Sequence, residues 1–158
     1  MKFEKFVKSL ASSGVIYERG IFKERWLASS TVFMLIPATI RSVTAAGIQD
    51  MPEKIDSMLS QISHTEPCQL HKAVMPFADG CIKDCVRIFS NEAADIAIAI
   101  SNDDWSLIEK SDFCEILYDH DTASETYTAK ALLVKRYPDM PDDDEELVGM
   151  IFPVDYRI

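Results

Sequence analysis

His64, Cys68, His71, Cys81 and Cys85 are the residues closest to a chemical motif in this chain. Three residues lie between His64 and Cys68, and three between Cys81 and Cys85. Zinc is held by about four converging nitrogen and sulfur ligands, commonly supplied as closely spaced pairs. Here Cys81 and Cys85 fall on strand-like sequence, where they share a face without forming a tight knuckle, and His71 lies in mid-strand. The pattern favours buried thiols and surface imidazoles, with no metal. Cys68, Cys81, Cys85 and Cys114 lie far apart or inside apolar runs, so free thiols are expected rather than disulfides.

The carboxylates offer a second chemistry. Asp103, Asp104, Asp119, Asp121 and the run Asp142 to Glu146 resemble the raw material of a cation site. A calcium loop needs acids at alternate positions around a glycine bend, and neither the segment around His120 nor the acid run has one. A solvated acidic loop is expected. General base and nucleophile pairs require a base next to a serine, cysteine or similar group. The chain has three histidines, His64, His71 and His120, and nothing in the sequence ties His120 to a nucleophile. The five glycines, Gly14, Gly20, Gly47, Gly80 and Gly149, are isolated and form no phosphate cradle. No catalytic, cofactor-binding or metal-ligating residue is assigned, and a non-enzymatic chain is expected.

The elements that would carry these residues follow from apolar spacing and turn chemistry. Phe3, Phe6, Val7 and Leu10 share one helical face, and Ile55, Met58, Leu59 and Ile62 repeat the pattern 52 positions later. Trp105, Leu107 and Ile108 form a weaker third instance. The first helix is expected over Lys2 to Ala11, ended by Ser12-Ser13-Gly14. The second should start after Asp50 and Pro52 and reach Ser63, and the third should be capped by Ser101 or Asn102 and end near Ser111.

Three strand-like runs follow each helix. They are Val15 to Glu18, Phe22 to Leu27 and Thr31 to Ile36, then Gln69 to Met75, Cys81 to Phe89 and Asp95 to Ile100. The last three are Phe113 to Tyr118, Tyr127 to Arg136 and Leu147 to Val154. Glu66-Pro67 is read as a break, Ala78-Asp79-Gly80 as a hairpin turn, and His120 to Glu125 as a polar turn. Phe22, Trp26 and Phe33 are expected in the core. Ile96, Ile98 and Ile100 alternate with Asp95, Ala97 and Ala99 and should face inward. The nearly continuous apolar run of the last strand implies burial on both faces.

The reading is an α+β fold in a single domain, residues 1–158, mainly antiparallel sheet with three helices. A threefold repeat of one helix and three strands would occupy units 1–50, 51–100 and 101–158. Three such units would join edge to edge into one curved sheet with the helices on one side.

The net charge of −10 is uneven. Residues 1–50 carry +3, residues 51–100 carry −3, and residues 101–158 carry −10. An acid-rich end repels phosphate backbones. Nucleic acid would therefore meet Lys2, Lys5, Lys8, Arg19, Lys23, Arg25 and Arg41 in the first third. No run of about 18 apolar residues exists, so no membrane partner is expected. Lys2, Glu4, Lys5 and Lys8 interrupt any apolar export segment, and a cytoplasmic location is expected.

From Asp95 to Ile100 onward the order is strand, helix (Asn102 to Lys110), then strands Phe113 to Tyr118, Tyr127 to Lys135 and Leu147 to Val154. This order resembles half a domain of the bacterial sliding clamps. The closing Val148-Gly-Met-Ile-Phe-Pro-Val is similar to that family's last apolar strand, with Phe152-Pro153 in place of a Met-Pro element. Tyr17-Glu-Arg and Arg25-Trp-Leu before an apolar strand resemble small phage and prophage proteins. These resemblances imply a clamp-like αβββ fold and a phage or prophage accessory protein that acts through contacts with a protein partner, linked to DNA replication. They supply no site residues. The alternatives are a nucleic-acid contact module built on the basic first third, or an acidic mimic of DNA.

Overall fold

The computed structural model describes residues 1–60, 62, 64–75 and 84–155. The elements run α1 (Phe3–Leu10), β1 (Val15–Arg19), β2 (Glu24–Ala28), β3 (Val32–Leu35), β4 (Gly47–Asp50) and α2 (Glu53–Ser60). They continue as β5 (Thr65–Val74), β6 (Val86–Asn91), β7 (Ile96–Ser101), α3 (Asn102–Trp105), β8 (Asp112–Asp121), β9 (Thr126–Arg136) and β10 (Glu146–Ile151). The strands form one sheet in the order β4-β1-β2-β3-β10-β9-β8-β5-β6-β7. Every pairing is antiparallel except β1 with β4. The fold is α+β and mainly antiparallel, as expected. Three meanders, β1-β2-β3, β10-β9-β8 and β5-β6-β7, meet edge to edge.

The sheet has two buried faces. On the inner face, Ile16, Leu27, Val32, Met34, Ile116, Leu132, Val134 and Ile151 pack with Phe6 of α1 and Leu107 after α3. The same cluster holds Phe89, Ile96, Ile98 and Ile100 of β6 and β7. The β6-β7 hairpin therefore lies back over β8 and β9. The curl is deep enough that the segment after β10 reaches the far end of the sheet. The Val154 N–H donates to the Ala99 carbonyl in β7 (2.9 Å). On the outer face, Trp26, Ala28, Phe33, Leu117, Ala131, Leu133 and Met150 pack with Leu59 of α2. Ile55 and Met58 of α2 join this second cluster. The helices are therefore not on one side: α1 and α3 cover the inner face and α2 the outer.

β10 sits between β3 and β9 and is buried on both faces, as its apolar run implied. Ile96, Ile98 and Ile100 point inward as their alternation implied. Several boundaries differ from expectation. Glu66-Pro67 is not a break. Pro67 lies inside β5 opposite Glu115. Its carbonyl accepts from Asn91 Nδ2 (2.8 Å), and the β5–β6 ladder begins only at Gln69, so the missing proline N–H leaves no rung unmade. The fourth strand of the first third, β4, comes from the expected loop before Asp50. Asp50 ends that strand rather than capping α2. The second helix is described as far as Ser60; residues 61 and 63 lie outside the described region, as do the expected Ala78-Asp79-Gly80 turn and Cys81. β8 extends through His120, and the turn follows it. The third helix is a single turn rather than reaching Ser111. Among the described residues, no helix is long and apolar enough to cross a membrane.

The largest departure in the core is Phe22. Trp26 and Phe33 are buried, but Phe22 is 98% exposed beside Ile21 at 93%. The β1-β2 ladder ends at Arg19↔Glu24, and Gly20 and Lys23 turn the chain with positive φ (75° and 54°). Ile21 and Phe22 ride on the tip. Ile116, at 0% exposed, is the contrasting case. Ile116→Ala should cost about 2–5 kcal/mol. Phe22→Ala should change stability by no more than about 0.5 kcal/mol. Urea unfolding midpoints at unchanged slope measure both.

Candidate functional site

β5 carries the local geometry of the site. Its first rungs pair with β8, from Thr65↔Leu117 to Cys68↔Cys114. From Gln69↔Ser90 to Val74↔Val86 it pairs with β6 instead. Where β5 leaves β8 a cleft of about 900 Å³ opens. Pro67 to His71, Phe89 to Glu92 and Asp112 to Cys114 line it from the strands, and Trp105, Ile108 and Tyr137 complete the wall. Its volume falls in the range of pockets that hold small ligands or short peptide segments.

The walls are fixed by specific contacts. Ser101, one of the two caps the sequence offered, caps α3, its Oγ accepting from the Asp104 N–H (3.1 Å). This turn presents Trp105 to the cleft. The Arg87 guanidinium lies 3.9 Å from the Trp105 ring centroid, and Arg87 Nε donates to Asn102 Oδ1 (2.9 Å). On the other wall, Phe113 and Tyr137 face each other with centroids 4.3 Å apart. Tyr137 is 62% exposed, so this wall is open to an incoming group. Below them Asp112 Oδ2 accepts from the Met1 ammonium (2.6 Å) and from the Glu109 N–H (2.9 Å). The Lys2 N–H adds a bond to the Leu107 carbonyl (2.8 Å), so the start of α1 is tied to the segment between α3 and β8.

Cys68 and Cys114 form the end of the ladder at the cleft. Both are free thiols. Burial is the main cause that raises each thiol pKa, that of Cys114 to about 12. Both are therefore protonated near neutral pH and are weak nucleophiles as they stand. Among the described residues, no hydrogen bond joins either thiol to a histidine.

The residues singled out in the sequence are not brought together. His64 packs edge-on against Tyr118, and His71 lies on β5 with Nδ1 3.8 Å from Glu92 Oε1. Cys85 is buried next to β6 with its Sγ facing the Val86 carbonyl. No group of three or more potential metal ligands occurs among the described residues. His120 stacks on Tyr127 (4.5 Å) in the β8-β9 ladder. Asp119 pairs with Lys130 (3.1 Å), and Asp121 accepts from Ser124 and Ala123 at the turn that follows β8, bonds that lower its pKa. Asp103 lies in the first turn of α3. Asp142 to Glu145 are exposed in the loop after Tyr137, and Glu146 opens β10 opposite Arg136. The cleft itself was not signalled, because it depends on which strand β5 meets at each end.

Asp104 is the buried acid of this region. The neighbouring Thr31 and Ser101 side chains favour its charged form, and Oδ2 has no hydrogen-bond partner. Desolvation raises its pKa above the ordinary 3.8. A folded-state pKa above the unfolded value gives stability that is complete below about 3.8 and lost as pH rises through the raised value. Asp104→Asn removes the titration. Relative to this variant, the native chain should lose stability as pH climbs above about 4, in urea unfolding at each pH. Equal pH dependence in the two proteins would contradict the assignment. Comparison with family models, curated proteins and solved structures gives no match for this chain.

Proposed function

We propose that the chain is a non-enzymatic protein-contact module whose cleft receives an extended segment of a partner protein. The observation that carries this reading is the fork between β5 and β8. It combines strand edges that end their mutual ladder at Cys68↔Cys114 with walls of Trp105, Ile108, Phe113 and Tyr137. Strand edges supply main-chain bonds to an extended peptide, and neighbouring apolar pockets supply selectivity. Aromatic groups that are partly exposed on a rigid frame suit an anchor residue. Glu92 at the rim and the acids that follow Tyr137 favour basic residues on either side of that anchor. The bare Ile21-Phe22 tip is a second apolar surface on the far side of the sheet order, consistent with contacts to protein.

Within this reading the chain is an accessory protein of a phage or prophage, acting near DNA replication in the cytoplasm. The support is the sequence resemblance and the order α3-β8-β9-β10, which follows the clamp-like order read in the sequence. The opposite placement of α2 weighs against a strict repeat of one unit, since identical units would cover the same face.

A second reading keeps nucleic acid as the partner. Lys2, Lys5 and Lys8 line one groove with Pro37, Thr39 and Ile40. Arg19 is engaged by Asp56 (2.6 Å), Arg25 donates to the Ile40 carbonyl (2.8 Å), and Lys23 sits at the β1-β2 tip. The DNA-mimic reading loses ground because the acids bunch in one loop rather than along a face.

Selection of displayed random peptides on the purified chain tests the first reading. Peptides with an aromatic or aliphatic anchor flanked by Lys or Arg should be enriched, and Tyr137→Ala should weaken them about tenfold or more. Phe22→Ser should leave them unchanged. Enrichment indifferent to Tyr137, or none, would contradict the cleft as the contact site. Fluorescence anisotropy with single- and double-stranded DNA at low salt should show no binding. Binding lost on replacing Lys2, Lys5 and Lys8 with Glu would favour the second reading.

A further inference from the structure

We propose that Cys68 and Cys114 are a thiol modification site, a redox-responsive pair that closes into a disulfide across the β5–β8 ladder. The register places them directly opposite each other. Directly opposed residues of an antiparallel pair have Cα atoms about 4.5–5.5 Å apart. A disulfide accepts Cα separations of about 4.4–6.8 Å. Both side chains belong to the inner-face cluster, so the sulfurs point the same way from adjacent strands. Closure therefore needs side-chain rotation rather than movement of the strands.

The pair also has an approach route. Both cysteines line the cleft, and Cys68 is the more exposed of the two. Cys85, the other described cysteine, is buried next to β6, beyond the rungs that hold this pair. With hydrogen peroxide as oxidant, the Cys68 sulfur attacks one peroxide oxygen and the O–O bond breaks. Cys68 becomes a sulfenic acid, and the departing oxygen leaves as water with the thiol proton. The Cys114 sulfur then attacks the Cys68 sulfur, the S–O bond breaks, and a second water leaves with the Cys114 proton. Two thiols lose two electrons and one peroxide becomes two waters. Burial keeps the thiolate fraction small near neutral pH, so the first step is slow compared with that of an exposed, activated thiol.

The consequence follows from position. Cys68↔Cys114 is the last rung before β5 turns to β6, so a covalent bond there fixes the point from which the cleft opens. This consequence rests on the cleft being the contact site, but the pairing itself does not.

The test treats the full chain with hydrogen peroxide, blocks remaining thiols by alkylation in denaturant, and maps the peptides by mass spectrometry without reduction. A linked peptide joining Cys68 to Cys114 is expected, with the loss of two hydrogens (about 2 Da) and full reversal by dithiothreitol. Cys85→Ser should retain the link, and Cys68→Ser should abolish it. Oxidation to sulfinic or sulfonic acid without a link, or a link that joins other cysteines, would overturn the proposal. The selected cleft peptides, measured on reduced and linked protein, should differ in affinity by about threefold or more. A linked protein with unchanged affinity would remove the regulatory consequence alone. Failure to select peptides would leave the mapped link standing, so the two readings fail separately.

Discussion

The rest of the structure depends on one change of partner. β5 spans ten residues, but it belongs to β8 for its first rungs and to β6 for the remainder. A strand that serves two ladders in succession must bend the sheet, and the irregularity between Leu70 and Lys72 lies just past the change. The bend carries β6 and β7 back over β8 and β9. It converts an open ten-stranded sheet into one with an enclosed inner core, where Ile98, Ile100, Leu132 and Val134 meet. It also creates the cleft, because the edges that part at Cys68 and Cys114 are held apart by the same curl.

Polar contacts hold the rim of this arrangement where apolar burial ends. Asp104 and Asp112 lie on either side of the Trp105–Ile108 segment, one within the α3 cap and one bonded to the Met1 ammonium. Buried carboxylates carry a desolvation cost and persist only when their bonds fix a particular geometry. Here the Asp112 bond to the Met1 ammonium and the Ser101 cap hold a one-turn helix too short to be stable by itself. Gly149 adds a packing constraint. A Cβ at this position would run into the Met1 sulfur, so the start of the chain and the centre of β10 share one space. The cleft wall is thus tied to both the chain start and the central strand.

Strongly patterned elements were legible in the sequence. The alternation of Ile96, Ile98 and Ile100, the apolar run of the last strand and the cap at Ser101 each reflect local physics that survives in the fold. Elements held mainly by neighbours were not legible. β4 has a single large apolar residue, Ile48, which is 65% exposed, and it exists through backbone pairing with β1. Pro67 reads as a break because its tolerance depends on the β5–β6 ladder starting two residues later, at Gln69. Phe22 reads as core because a strand ending at Glu24 cannot be told from one that continues to Phe22 by composition. The opposition of Cys68 and Cys114, and the cleft they border, are properties of register between distant segments, which single-chain periodicity does not encode.

The most direct measurement of the central claim is a methyl NOE spectrum of the chain with labelled Ile, Leu and Val. Folding of the β6-β7 hairpin over β8 and β9 predicts cross-peaks from the Ile98 and Ile100 methyls to those of Leu132 and Val134. Cross-peaks from β7 confined to its own hairpin, with none to β9, would contradict the folded-over sheet and remove the cleft with it.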